Sequence, residues 1–491
     1  MNKHAVIIGA GFSGLSAAAF LARAGFEVSV LEKNSMPGGR ARKFEAKGFT
    51  FDMGPSWYWM PDVMDNFFSA FDRKTSDYFE LKRLDPSYRV YFGKDDFVEI
   101  PSDVEETIAL FERLEPGAGR KLQKFLIEAE RKYTIGINQF ATKPSLSIKE
   151  FAQWRLLKHL FAMHLFRSFH SHVARYFKNP RIHRLLEFPI LFLGGTGDTT
   201  PALYSLMNYG DLKMGTWYPM GGMYELVDAM HKLAVEMGAT FHFETEAKEL
   251  EIKDGVINAV ITKKGRFEAD YVIGAGDYHY IEQNLLPEKY RMYSKSYWAK
   301  RVMSPSSLIF YIGLDKKLEG FLHHTLLFDT NFDIHAAEIY GKPRWPSDPA
   351  LYVSATSKTD PSVAAAGQEN LMVLIPVATG LEDTEAIREH YFNIVMKRLE
   401  DISGQKIHEH VIYKRSYAHN DFICDYHAYK GNAYGLANTL MQTAFLKPRM
   451  KSRKLKNLYF SGQLTVPGPG VPPAIMSGRI AAEEILKNVM L

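Results

Sequence analysis

The first 32 residues constrain this chain more than any other stretch. His4 to Ile8 (HAVII) is an apolar run with the length of a buried parallel strand. Gly9-Ala10-Gly11-Phe12-Ser13-Gly14 follows, then an Ala/Leu-rich segment from Leu15 to Ala24 that reads as a helix ended by Gly25. A second short strand, Glu27 to Leu31, closes on the acid Glu32. Each glycine has a mechanical reason. Gly9 makes the tight turn, Gly11 lets an anion approach the backbone, and Gly14 lets the helix lie close on the strand. The helix start, with Phe12 and Ser13, offers unpaired N–H groups to a pyrophosphate. Glu32 stands 18 residues past Gly14, placed to accept from ribose hydroxyls and to repel a 2′-phosphate. The pattern predicts an α/β domain that grips an adenine dinucleotide, and it disfavours NADP.

Composition narrows what the rest can be. A length of 491 residues is enough for about three domains. With 46% hydrophobic and 24% charged residues, disordered and fibrous classes are excluded. A net charge of +4 gives no case for nucleic acid. The single cysteine, Cys424, excludes an intramolecular disulfide and a Cys-based zinc or iron–sulfur site, and fits a reducing compartment. No stretch approaches 18 consecutive apolar residues, so no membrane-spanning helix is expected. Lys3 and His4 before an apolar run can imitate a signal peptide, but three glycines at fixed spacing inside that run argue against one.

After Glu32 comes Lys33-Asn34-Ser35-Met36-Pro37-Gly38-Gly39-Arg40, which adds a second close backbone approach and a fixed cation where a simple NAD domain would enter another helix. Gly48-Phe49-Thr50-Phe51-Asp52-Met53-Gly54-Pro55-Ser56 alternates apolar and polar residues before a Gly-Pro turn. Here the sequence resembles the FAD-dependent amine oxidase and phytoene desaturase superfamily. The resemblance implies that Lys33, Gly38, Gly39 and Arg40 run beside FAD. It also implies that Gly54, Pro55, Ser56 and Trp57 lead toward its flavin. Two later segments match as well. Glu244 to Thr262 reads as a hairpin around Asp254-Gly255, and Ala269 to Asp277 resembles the strand that returns to the cofactor sheet, bringing Gly276 and Asp277 to it. No third glycine follows Gly274 and Gly276 in register, so a separate NAD(P)H domain is not expected.

The C-terminal segment Asn457-Leu458-Tyr459-Phe460-Ser461-Gly462-Gln463-Leu464-Thr465-Val466-Pro467-Gly468-Pro469-Gly470-Val471-Pro472 looks like the signature of bacterial-type phytoene desaturases. It departs from that signature at Gln463-Leu464 and at Val466, which leaves the acceptor and substrate step open. Gly462, Gln463, Gly470, Val471 and Pro472 are the implied cofactor contacts. The Pro/Gly turn feeds a helix over Ala474–Lys487, whose N-terminus favours charge developing on a reduced flavin. The implied architecture is α/β: a discontinuous Rossmann-like FAD domain (1–69, 214–290, 447–491), a mixed or antiparallel sheet domain for substrate (70–105, 291–446) and a helical membrane-facing subdomain (106–213).

The middle of the chain adds detail. Val104 to Ile137 reads as helical with a break at Pro116-Gly117. From Lys149 to Glu187 there are eight lysines and arginines against two glutamates, with five histidines (159, 164, 170, 172, 183). Trp154, Leu157, Phe161, Leu165 and Phe169 share one helical face, opposite Arg155, His159, Arg167 and His170. A basic amphipathic helix of this kind fits a membrane surface, and equally a helix packed on its own core with a solvated basic face. No metal-ligand spacing with a nearby carboxylate is legible on that face, so no metal is expected. Thr216-Trp217-Tyr218-Pro219-Met220-Gly221-Gly222-Met223 resembles a family turn and leads into a helix over Tyr224–Met237. From Ser304 to Arg415, strand-like runs (307–313, 351–357, 371–377) and one helix (384–399) predict an antiparallel sheet with a helix on it.

No Ser/His or His/Asp pair stands out as acid–base machinery, and Asp52, Arg40 and Asp277 read as scaffolding. The resemblance implies oxidation of a long apolar polyene such as phytoene: hydride loss from an allylic carbon to the flavin, then proton loss, toward lycopene. The implied partners are this carotene, an electron acceptor (oxygen or a quinone) and the cytoplasmic side of the cell membrane as a peripheral surface, with no nucleic acid. A later-acting carotenoid desaturase or isomerase, an amine or protoporphyrinogen oxidase, and a prenyl-lipid carrier of the same fold are the alternatives.

Overall fold

In a computed structural model of the chain, residues 3–146, 164, 167–191 and 194–490 are described. The apolar runs at the N-terminus become the centre of a five-stranded parallel sheet. Its order is Leu458–Phe460, Tyr271–Gly274, His4–Ile8, Glu27–Leu31, Ala239–His242. Ile8 is level with Gly274 on one side and Leu31 on the other, so the carboxyl ends of the strands and the turns that follow them converge. Alternation in His4–Ile8 splits its side chains between two cores. Ala5 and Ile7 join the core that holds helices Phe12–Arg23, Tyr224–Glu236 and Val471–Met490. Val6 and Ile8 join a second core with the antiparallel sheet Ala247–Lys253, Val256–Thr262 and Gly265–Glu268.

The three parts of this domain come from separated stretches of sequence, and small residues weld them. A Cβ on Gly478 of the last helix would stand 2.0 Å from the carbonyl oxygen of Ser13 in the first. Ser16 Oγ donates to the carbonyl of Ile475 at 2.8 Å across the same contact. Helix–helix approach this close is open only to residues without side-chain bulk.

A seven-stranded sheet forms the second body, in the order Val411–Tyr417, Ser306–Leu314, Glu369–Val377, Leu351–Ser354, His324–Leu327, Tyr88–Gly93, Asp96–Ile100. All pairings are antiparallel except His324–Leu327 with Tyr88–Gly93. Leu308, Phe310 and Ile312 pack under helix Glu385–Ser403, while Ile309 and Tyr311 face the core shared with the first domain. The period of two therefore assigns one face to stability and the other to the site.

Helices Val104–Leu114 and Ala118–Ile135 are separated at Pro116-Gly117, as the sequence predicts. Asp103 caps the first by accepting from the N–H groups of Glu105 and Glu106 at 2.8 and 3.1 Å. The second runs into a π-helical turn, Gly136–Phe140. Trp154, Leu157, Phe161 and Leu165 of the expected basic amphipathic helix, with Arg155 and His159, lie outside the described residues. Phe169 is buried, and Arg167 and His170 are described. Among the described residues no helix is long and apolar enough to cross a membrane.

Candidate active site

The turns at the carboxyl ends of the parallel strands open onto one cavity of about 1140 Å³. Gly9 adopts φ +107°, and its N–H donates to the carbonyl of Leu31 at 2.8 Å, which folds the turn back over the second strand. Gly11 caps helix Phe12–Arg23 in extended backbone, and a Cβ built on it would meet nothing within 4 Å. That open space, beside first-turn N–H groups with no side-chain cap, is where a phosphate fits. Gly14 does not line the cavity. A Cβ on it would stand 2.0 Å from the carbonyl oxygen of Gly9, so this glycine serves helix–strand contact alone.

Glu32 is only 5% exposed. Its Oε2 accepts from Ala10 N at 2.9 Å, and its Oε1 accepts from Asn34 N and Asn34 Nδ2 at 2.9 and 2.8 Å. Three donors thus hold the carboxylate at the cavity wall, with lone pairs remaining for ribose hydroxyls. Lys33 also lines the cavity, but its Nζ is drawn to the carbonyl of Cys424 at 2.5 Å and lies 3.4 Å from His427 Nε2. The neighbouring wall was not legible from sequence: His427 stacks on Tyr280 with ring centroids 3.8 Å apart and meets Glu246 at 2.9 Å.

The Gly38-Gly39-Arg40 turn leans on the glycine turn. Gly38 N donates to the carbonyl of Ala10 at 2.8 Å, and a Cβ on Gly39 would come within 3.4 Å of Gly11 Cα. Arg40 Nη2 donates to the carbonyl of Asn432 at 3.2 Å, while its Nε is buried with no partner among the described residues. Burial weakens the hold of this guanidinium on its proton, and the charge of Asp277 opposes that effect. Asp277 accepts from Tyr280 N and Tyr429 N at 2.9 and 3.2 Å, and burial pushes its carboxyl up to about 6. An orphaned cationic donor beside the cradle suits an anionic cofactor.

Beyond Arg40 the wall turns aromatic. A Cβ on Gly54 would sit 2.3 Å from the carbonyl oxygen of Arg40, so Gly54-Pro55-Ser56-Trp57 can pass the turn only as it stands. Asp52 accepts from Met223 N and Tyr224 N at 2.8 and 3.0 Å and caps helix Tyr224–Glu236; burial raises its carboxyl to about 6. Tyr352 donates to Ser56 Oγ at 2.7 Å and pairs with His324 Nδ1 at 2.7 Å. Trp57 stacks on His324 with centroids 4.0 Å apart. Burial drives His324 far below its ordinary range, so the ring is neutral.

The C-terminal turn closes the cradle. Gly462 (φ +105°) approaches the first helix so closely that a Cβ would lie 3.3 Å from Ser13 Oγ. Its N–H donates to Ser477 Oγ at 2.9 Å, and that hydroxyl donates to the carbonyl of Val466 at 2.7 Å. Gln463 Nε2 donates to Asn432 Oδ1 at 3.1 Å. Gly470 is followed by Val471 and Pro472 at the start of helix Val471–Met490. That helix begins three residues before the expected Ala474, because prolines suit a first turn. Gly9, Gly11, Phe12, Ser13, Glu32, Lys33, Gly38, Gly39, Arg40, Gly54, Pro55, Ser56, Trp57, Gly276, Asp277, Gly462, Gln463, Gly470, Val471 and Pro472 all line this one cavity. From there the cavity continues past Ile137, Phe140, Tyr204, Ile309, Leu374 and Tyr434, which sequence reading missed because they come from unrelated elements. It also reaches Met441, Phe445 and Leu446, which are 71, 42 and 37% exposed.

Among the described residues, two histidine–carboxylate clusters lie outside this lining. In Glu128/His164/His172, Lys132 Nζ sits 2.6 Å from Glu128 and 3.3 Å from His172 Nε2, so an ammonium already fills the place of a cation. In His170/His183/Glu187, His170 Nδ1 meets Glu187 at 2.8 Å and His183 Nε2 meets the carbonyl of Phe177 at 2.9 Å.

Comparison with known proteins follows the same lines. The model of the flavin containing amine oxidoreductase family matches residues 12–486. The chain is 39% identical to a carotenoid 3,4-desaturase of Haloarcula japonica over 490 residues, 99% of each chain. It is 30% identical to a zeta-carotene-forming phytoene desaturase of Myxococcus xanthus over 493 residues, 99% of this chain and 94% of that one. Among solved structures, an oxidoreductase from Methanosarcina mazei shares the fold at 18% identity with a TM-score of 0.62, covering 99% of this chain and 100% of that one.

Proposed function

We propose a substrate and a setting for a chain that belongs to the flavin containing amine oxidoreductase family and is an FAD-dependent oxidoreductase of carotenoid CH–CH groups. The substrate is an acyclic carotene, phytoene first among them, desaturated toward lycopene. The observation that carries this reading is that one cavity is lined by Glu32, Arg40 and Gly462 and also by apolar Ile309 and Leu374 and the exposed Met441, Phe445 and Leu446.

The residues fit FAD: Gly11 leaves open space that a phosphate would take, Glu32 would accept from the ribose, Arg40 would offer a donor, and the Gly462–Pro472 turn lines the same cavity. When bound, FAD accepts the hydride that leaves an allylic carbon, and loss of a proton from the adjacent carbon completes the new double bond. The chain's own part is orientation and exclusion of water. Trp57, Ile309 and Leu374 hold an apolar chain in a single lane, so the reacting carbons are positioned by shape and not by charge. His324 is held by Tyr352 at Nδ1, and burial disfavours its protonated form, so it offers only a weak base. A delocalised allylic cation needs no strong one, since its adjacent C–H is acidic. Oxygen or a quinone is the proposed electron acceptor.

A substrate this apolar resides in a bilayer, because each buried CH₂ favours transfer out of water by ~0.8 kcal/mol. The exposed mouth at Met441, Phe445 and Leu446 and the basic segment from Lys149 to Glu187 support peripheral binding at the cytoplasmic face of the cell membrane. A second reading, desaturation of a carotene that already carries conjugated double bonds, is favoured by the 39% identity to the carotenoid 3,4-desaturase. Expression in a host that accumulates phytoene, beside one that accumulates lycopene, separates the two by pigment spectra. New colour only in the first supports the phytoene reading; change only in the second supports the other. No change in either removes both.

A further inference from the structure

Lys447 is buried to 3% exposure, and its Nζ donates to Asn438 Oδ1 at 2.9 Å. It has no other hydrogen-bond partner and no carboxylate beside it among the described residues. Both atoms crowd Gly468: a Cβ there would come within 3.2 Å of Nζ and 3.3 Å of Oδ1. Gly468 lies in Pro467-Gly468-Pro469-Gly470, the turn that lines the cavity just before helix Val471–Met490. Asn438 lines the same cavity, and Lys447 stands behind it.

A carboxamide has an accepting end and a donating end. Lys447 has no acceptor to offer, so it fixes the oxygen of Asn438 toward itself and leaves the Nδ2 protons as the cavity-side donors. A buried ammonium with one partner is otherwise a cost to the fold. Behind a turn that lines the cavity, the same charge would act on a cofactor held there through a medium of low dielectric. Burial also brings the ammonium down to about 7, where it changes charge near neutrality. Two residues along the chain, Arg449 donates through Nη2 to the carbonyl of Leu146, and the Tyr293 and Tyr278 hydroxyls bond its backbone; among the described residues no charged group acts on Lys447.

We propose that Lys447 is a positioning residue for the redox step: it orients Asn438 toward the flavin end of the cavity, and its charge favours the reduced cofactor over the oxidised one. The inference rests on FAD occupying this cavity, and cofactor content tests that separately. By linkage, a cation that favours the reduced form must itself hold its proton more tightly in that form. Potentiometric titration of the FAD-loaded full chain between about pH 6 and about pH 9 reads both effects. Relative to Lys447→Met, the wild type should favour the reduced form at least about tenfold more at acid pH, about 30 mV for two electrons, and the difference should vanish at alkaline pH. Asn438→Asp places a carboxylate against the ammonium and should move that inflection to higher pH. Coincident curves for wild type and Lys447→Met would overturn the proposal. Should Lys447→Met fail to retain FAD, an unmoved inflection in Asn438→Asp overturns it alone. If the wild-type chain binds no FAD, the cofactor reading falls first.

Discussion

The carbonyl oxygen of Gly9 occupies the space that a side chain on Gly14 would need, 2.0 Å from the position of its Cβ. Gly11, between them, has φ −75° and free space where a Cβ would project. The two glycines of one motif therefore fail in different ways. Gly14→Ala should push the first helix off the strand, cost ~1–3 kcal/mol or more in stability, and abolish FAD retention. Gly11→Ala should melt with the wild type when both are free of FAD, and lose FAD affinity at least about tenfold, because its methyl enters the phosphate space. Thermal melts beside flavin absorbance of the purified variants distinguish the two.

Removing Glu32 should act on fold and cofactor together. Glu32→Ala strands the N–H of Ala10, which is buried, and that of Asn34, at about 1–3 kcal/mol for a buried unmatched donor. Added FAD should raise the melting temperature of wild type and leave that of the variant unmoved at the same concentration.

Asp211 predicts a pH dependence of stability. It accepts from the Tyr88 hydroxyl at 2.8 Å, its other oxygen has no partner among the described residues, and burial raises its carboxyl to about 7. The folded value lies above the unfolded one, so the carboxyl's favourable share is full below about pH 4 and is lost as pH rises toward 7. Asp211→Asn should therefore melt higher than wild type at about pH 8 and nearly level with it at about pH 4. Equal differences at both values would contradict this.

The mouth of the cavity should be separable from the cofactor site. Met441→Asp with Phe445→Asp places two charges on exposed side chains that line the apolar arm. The double variant should keep FAD and lose flotation with anionic liposomes, along with turnover of bilayer-dissolved carotene. Wild-type flotation should weaken with salt. Undiminished flotation of the variant would move the membrane contact elsewhere.

Sequence carries the local parts of this molecule well. His4–Ile8 and Glu27–Leu31 fall where periodicity and punctuation put them. The helix after the turn begins at Phe12, three residues earlier than its apolar stretch suggests, because Gly11 itself is the cap. In the larger sheet, the runs near 307–313 and 371–377 are plain because both are continuous apolar strands. Tyr88–Gly93, His324–Leu327 and Val411–Tyr417 are shorter or more polar and reveal themselves only by pairing. The same limit governs the cavity. Motifs with fixed spacing expose the cofactor cradle, but Tyr280, His427 and Asn438 meet it through tertiary contact and have no pattern of their own.

One cavity should hold both FAD, at its glycine end, and a carotene along its apolar lining. Anaerobic mixing of the FAD-loaded protein with phytoene-bearing, and separately lycopene-bearing, liposomes tests it most directly. The flavin absorbance should bleach with one of the two, with one new double bond formed per flavin reduced. A protein that binds FAD stoichiometrically, is bleached by dithionite and is untouched by either carotene would contradict it.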